Sequence, residues 1–408
     1  MSSVIVNSVA SLNSALSSAQ AGDTIELAPG TYSAVAIKGL NFASAVTLTS
    51  QDPTHEAVLT GLSVYGASGL AFNNLEFSFP LGNDTSVPHG IFVNWSKDVH
   101  FTSDSIHGVL DILPTNEMTG IGIANSSDIS VQNSELQFLR TGLTMGSDSN
   151  VLISGNNFHD IRIDGIEGAA IQNGTVTNND FSNFHHIGNV GQGAGDHSDA
   201  IQFWTTGQKV GSANLTVSNN VIVQGQGRDM QGIFIQDSRH HLPYTNLQVS
   251  GNLVVGGNWN GIMVDDAHGA TISGNTVQGL STQPQNPWVL LQNSNGVSVT
   301  NNSASAVNLS KNDHNVSSSG NTVNPKVTDQ GLALLTDWLA SHPGHLVPMG
   351  PNTAQQMVFP ALTFAEIALP PPPVGTGSGP WHGAGLDAAG IQLLGLHAGD
   401  FIMPPAEL

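Results

Sequence analysis

The chain has 408 residues, no cysteine and a formal charge of −21, from 9 basic and 30 acidic side chains. That balance argues against nucleic acid and against an anionic membrane surface, both of which are bound through Lys and Arg, and the missing thiols exclude disulfides and thiolate metal sites. Only 10 % of the residues are charged, and 46 glycines with abundant Asn, Ser and Thr suit a β-rich scaffold with many tight turns.

The N-terminal segment lacks a basic stretch followed by a sustained apolar one, so no ordinary secretory signal is visible, and no run reaches the roughly 18 apolar residues of a membrane span. Leu12, Ala15, Leu16 and Ala19 recur at helical spacing; a strand follows Gly22-Asp23, then a Pro29-Gly30 turn. A short helix here is expected to cover the open end of whatever sheet follows.

From about residue 60 to 323 one phrase recurs: a small residue, an apolar strand, a polar turn, a second strand and an Asn. The first strand reads HGIFV (89–93), TGIGI (119–123), TGLTM (141–145), DGIEG (164–168), DAIQF (199–203), QGIFI (231–235) and NGIMV (260–264). Asn133, Asn156, Asn178, Asn219, Asn252 and Asn275 close successive phrases at spacings of 23, 22, 41, 33 and 23, so two coils carry insertions. Repeats this short leave no room for a crossover helix, and each is expected to be one coil of a parallel β-solenoid whose recurring Asn stacks into a ladder.

The helix followed by GDTIELAPGTY, the ISGN and VSNN turns and the DGI and DAI strand starts resemble the right-handed parallel β-helix proteins of the pectate-lyase-like superfamily. The resemblance implies an all-β fold, a right-handed parallel β-helix over residues 1–323. It also implies an activity among polysaccharide lyases, glycosidases, epimerases and adhesins. Residues 324–408 form a separate segment. A helix is expected in 329–344, with Leu332, Leu335, Trp338 and Leu339 on one face, as a C-terminal cap; beyond it come Pro370 to Pro373 and a Gly-rich tail.

The four arginines, Arg140, Arg162, Arg228 and Arg239, fall within one stretch of the repeat. If alternate residues face outward, Arg162, Asp164, Glu167, His197, Asp199, Arg228 and Asp229 gather on neighbouring coils as candidate catalytic groups. Gln202, Trp204, Gln231 and Gln236, with His185 and His186 of a long Gly-rich insertion, are candidate substrate contacts. Taken singly, an Asp in such a turn caps backbone N–H groups and an Arg makes a surface ion pair; it is the coincidence that marks a site. Asp196, Asp199 and Asp229 are candidate oxygen ligands for Ca²⁺, which the resemblance brings into question here.

Two chemistries on a polysaccharide substrate follow. In β-elimination at a uronic acid, the preferred one, Arg162 or Arg228 neutralises the sugar carboxylate and His197, oriented by Asp199, moves the α-proton. In glycoside hydrolysis, two of Asp164, Glu167, Asp199 and Asp229 act as acid and base. A glycan-binding or adhesive β-helix is the non-catalytic alternative, and a secreted or cell-surface location is expected despite the missing signal.

Overall fold

The computed structural model describes residues 2–79, 89–111, 117–188, 195–237, 239–343 and 345. The Pro-rich segment and the tail lie outside them, as does part of the Gly-rich insertion, 189–194.

Three all-parallel sheets run the length of the solenoid. The first extends from Ser3–Val6 to Ser317–Ser319, the second from Thr31–Tyr32 to Thr322–Val323 and the third from Val35–Lys38 to Val307–Leu309. The chain visits them in rotation, so each coil carries three strands and not the two that the repeat suggests. The missed strands, such as Glu135–Gln137, Asn157–His159 and Asp180–Ser182, have three residues each. With one inward side chain apiece, they are too short to display an alternating pattern.

Inward residues stack in register from coil to coil. In the first sheet Leu48, Phe72, Phe101, Val131, Ile153, Val176 and Val217 form one such row, all essentially buried. The rings of Phe72 and Phe101, and of Phe158 and Phe181, stack at 4.9 Å between centroids. The Gly that recurs ahead of most third-sheet Ile residues is explained by close approach: a Cβ on Gly165 would lie 2.6 Å from the Ala200 carbonyl oxygen and 2.7 Å from the Phe181 ring.

Helix α1 (Val9–Ser18) is capped by Ser8 and Ser11 and lays Leu12 and Leu16 into the core beside the first coil. Helix α2 (Leu332–Ser341) covers the solenoid from the side. Outward positions of the second sheet turn apolar at Val221, Val223, Leu253 and Val255, and α2 covers them with Leu335 and Trp338.

The Asn ladder is real but differs in membership. Asn156, Asn179, Asn220, Asn252, Asn275 and Asn302 point inward, and each of the first five donates Nδ2 to the Oδ1 of the next at 2.9–3.0 Å. Asn133, Asn178 and Asn219 precede the ladder position and take the left-handed turn, with φ of 52°, 56° and 53°. Counting one Asn per coil merged a conformational role with a hydrogen-bonding one.

Candidate active site

The outer face of the third sheet brings acidic side chains of adjacent coils together. Glu167 and Gln202 are ladder partners, with Phe234 and Met263 continuing their row; Asp199 is paired in the same way with Gln231. Asp164 belongs to the coil before Asp199, and its Oδ1 accepts the Asp199 backbone N–H at 2.9 Å.

Asp199 is fully buried. Its Oδ2 accepts from His197 Nδ1 at 2.6 Å and from Gln202 Nε2 at 3.1 Å. Oδ1 has no hydrogen-bond partner among the described residues. The Asp199 charge, working against burial, raises the His197 pKa.

Burial pushes the Glu167 carboxyl up to about 7, the Arg140 charge pulls it back, and Asp199 pushes it further up. Trp204 also hydrogen-bonds to Glu167 through its side chain. Burial and then the charges of Asp199 and Glu167 hold Asp164 far above the usual carboxylate range, again against Arg140.

A hydrogen-bond chain leaves the far side of His197. Trp288 Nε1 donates to Asn260 Oδ1 at 3.0 Å, Asn260 Nδ2 donates to Gln231 Oε1, and Gln231 Nε2 stands 2.9 Å from His197 Nε2. An indole N–H only donates, so it fixes the orientation of both amides and presents a donor to Nε2. His197 is thereby held as the Nδ1–H tautomer, with Asp199 as acceptor. A proton on Nε2, which Asp199 favours, requires both amides to turn and leaves the indole N–H facing an amide N–H; the donor-only Trp288 therefore opposes it.

Beside the acids lies a groove of about 290 Å³ lined by Glu167, Trp204, His89, Phe92, Thr144 and residues of the segment 207–210. That segment belongs to the insertion after Trp204, so the inserted loop forms one wall. Among the described residues no group of three or more His, Asp or Glu side chains is arranged to hold a metal ion.

A model described as the right-handed β-helix region matches residues 60–188 and 89–277, more than half of the chain. The protein belongs to the right-handed β-helix family. Among curated proteins, none matches this β-helix in sequence. Among solved structures, a lacto-N-biosidase from Eubacterium ramulus is 13% identical with a TM-score of 0.49, over 79% of this chain and 64% of that one. This chain thus spans less than two thirds of that protein's length. An alginate lyase from a Paenibacillus species is 15% identical at a TM-score of 0.43, over 79% of this chain and 99% of that one. A surface adhesin of Streptococcus pneumoniae is 12% identical at 0.46, over 78% of this chain and 91% of that one. These likenesses concern the fold alone.

Within the β-helix, Asp164, Glu167, His197, Asp199, Gln202, Trp204 and Gln231 share one face, and Gln236 is the ladder partner of Trp204. The other residues singled out in sequence go elsewhere. Arg162 forms a two-pronged pair with Asp196, Nε to Oδ2 at 3.0 Å and Nη2 to Oδ1 at 3.1 Å. Arg228 is exposed, and its Nη1 reaches the Gly188 carbonyl at 3.4 Å. Asp229 faces the buried His186 at 3.6 Å and Asn258 at 3.3 Å. His185 bonds to Asp160, which also holds His159. The three carboxylates considered for Ca²⁺ therefore have three different partners: Arg162 for Asp196, His197 for Asp199, His186 and Asn258 for Asp229.

Sequence reasoning does not place Arg140 among the candidate groups, yet its charge acts on both Asp164 and Glu167. It passed over Trp288 because the strand Trp288–Gln292 opens with Pro287-Trp288 in place of the usual small residue and Gly.

Proposed function

We propose that this β-helix is a carbohydrate-active enzyme that hydrolyses a glycosidic bond in a largely neutral glycan lying across the third sheet. One observation carries the reading: two carboxyl groups on adjacent coils, Glu167 at the surface and Asp199 beneath it, differ in their partners. Glu167 is pushed toward a pKa of about 7 and keeps its proton near neutrality, whereas Asp199 Oδ2 accepts two N–H donors, as a carboxylate does. Glu167 donates its proton to the glycosidic oxygen as the C–O bond breaks. Asp199, held by His197 and Gln202 and buried from solvent, stabilises the positive charge developing on the sugar through its own negative charge, while water adds to the anomeric carbon and returns a proton to Glu167. Trp204 offers a ring to the apolar side of a sugar beside the acid.

The elimination reading needs a cation at the substrate carboxylate. Arg162 is paired with Asp196 and Arg228 lies outside the acid face, while Arg140 is already set against Glu167 and Asp164. A uronate placed there adds negative charge beside Asp199. Elimination keeps one supporting observation, since Asp164 and Glu167 in their protonated forms can donate hydrogen bonds to a carboxylate.

A polymeric substrate of this kind places the work outside the cell. In the described residues no helix is long and apolar enough to cross a membrane.

The test is incubation with neutral and uronic-acid polysaccharides while new reducing ends and unsaturated uronate absorbance are followed together. Reducing ends alone, abolished in Glu167→Gln, are the expected result. Both signals together indicate the lyase, and binding without either signal indicates the adhesive alternative; each overturns the hydrolase.

A further inference from the structure

The acid face is bordered by the groove on one side only; on the other side lie two tryptophans that the proposed chemistry does not use as acids or bases. Trp259 is 49 % exposed, and its ring runs parallel to that of Trp288, with centroids 6.4 Å apart and planes within 9°. The Trp288 ring is held before any ligand arrives, its indole N–H bonded to Asn260 Oδ1 at 3.0 Å. Trp259 is anchored through its backbone, whose N–H donates to Asn258 Oδ1 at 2.8 Å and whose carbonyl accepts from the Trp288 backbone N–H at 2.8 Å, and its ring lies parallel to that of Trp288. Rings this large are ordinarily buried; a parallel and partly exposed pair costs solvation that the fold does not recover.

Asp199, Gln231, Asn260 and Trp288 follow one another on successive strands, so at the usual strand spacing Trp288 stands about 14 Å along the solenoid axis from Asp199 and Trp259, one coil nearer, about 10 Å. The groove lined by Trp204 and Phe92 lies on the opposite side of the acids, toward the coils that hold His89 and Thr144. A linear ligand centred on Glu167 and Asp199 and running along the axis meets aromatic faces in both directions.

We propose that Trp259 and Trp288 form a sugar-binding platform for the same glycan, remote from the bond that is cleaved, so that the site takes internal stretches of a chain rather than its end. The inference rests on the glycan reading above. Its chemistry is stacking: the rings offer flat apolar faces without charge, which fits the C–H face of a neutral pyranose. Trp288 also begins the hydrogen-bond chain that ends at His197, so a sugar settling on the platform braces the residue that orients Asp199.

The experiment is affinity electrophoresis of the intact protein in gels containing, one at a time, an α-1,4-glucan, a β-1,3-glucan, a β-1,4-mannan or a β-1,4-galactan. The wild type is retarded by at least one polymer. Trp259→Ala weakens that retardation roughly tenfold, Trp259→Phe restores most of it, and Leu332→Ala, which removes an exposed apolar side chain on α2, leaves it unchanged. Melting curves verify that each variant is folded. Equal retardation of wild type and Trp259→Ala, or an equal loss in Leu332→Ala, overturns the platform while leaving the glycan reading intact. A wild type retarded by no polymer overturns both.

Discussion

His197 Nδ1 stands 2.6 Å from one oxygen of Asp199, while the other oxygen of that carboxylate is buried without a hydrogen-bond partner among the described residues. The Asp199 charge is the largest influence raising the His197 pKa. Asn at this position keeps the shape and removes the charge. In Asp199→Asn the His197 pKa falls, as followed by NMR titration of the imidazole, and turnover drops by about 10²- to 10⁴-fold. An unchanged histidine titration would show that the charge does not act on the ring as the geometry requires.

Glu167 as the acid gives the pH–rate profile an alkaline limb. Only the protonated form donates, so kcat/KM falls as pH rises through about 7, where burial has placed this carboxyl. Glu167→Gln removes the limb together with most of the activity. The melting temperature at pH 8 does not fall in this variant, because a neutral amide replaces a carboxyl that pays desolvation when it ionises there. A full-strength enzyme in Glu167→Gln would assign the acid to another group.

Much of this arrangement is legible in the sequence because a solenoid converts spacing into position. Once Asp164 and Asp199 occupy the same place in the phrase, stacking sets them on neighbouring coils, and Glu167 and Gln202 follow three residues later. What the pattern cannot supply is the reach and partnership of long side chains leaving a corner. Arg162 and Arg140 occupy comparable corners, yet Arg162 closes on Asp196 from an insertion, whereas Arg140 acts on the acids one coil away. A repeat fixes where a Cα lies; an insertion decides which charge it meets.

The inner Asn ladder contributes stability that an outer ladder does not. Asn220 Oδ1 accepts from the Asn179 backbone N–H and Nδ2, and Asn220 Nδ2 donates to the Val176 carbonyl and to Asn252, all in the core. Asn220→Ala strands several buried polar groups and costs at least about 3 kcal/mol in urea denaturation. Asn214, bonded to Asn173 and Asn246 on the exposed surface at φ 55°, tolerates Gly at a cost within about 1 kcal/mol. Equal losses in the two variants would deny the inner ladder its role.

Stability should fall as pH rises from about 5 to 9. Burial raises Glu167 and Asp148 to about 7 and Glu117 and Asp104 to about 8. His159 is held up at about 9 by Asp160 and Glu135, against burial. Each of these groups binds its proton more tightly folded than unfolded. Between its unfolded and folded pKa the native state therefore carries the extra proton, and the stability linked to that proton is lost as pH rises through the folded value. Asp160 and Asp237 work oppositely: lowered to about 2 by their hydrogen bonds, they contribute above the ordinary 3.8 and lose that contribution as pH falls through 2. The chain's formal charge of −21 adds self-repulsion on the alkaline side. Calorimetry at pH 5, 7 and 9 should give successively lower melting temperatures, and a rise across that interval would contradict these assignments.

Arg140 offers the sharpest separation of a tuning charge from a substrate contact. Its guanidinium lowers the pKa of Glu167 and of Asp164, both of which burial raises. Without it Glu167 holds its proton to higher pH, so the alkaline limb of kcat/KM in Arg140→Ala moves above the wild-type position near pH 7. In Arg140→Lys, which keeps a positive charge on a different frame, the limb returns most of the way. If Arg140 instead grips a substrate carboxylate, as elimination would require, both substitutions raise KM for acidic glycans and leave the limb where it was. The direction of the limb, measured on a neutral substrate, therefore decides whether this arginine serves the acid or the sugar.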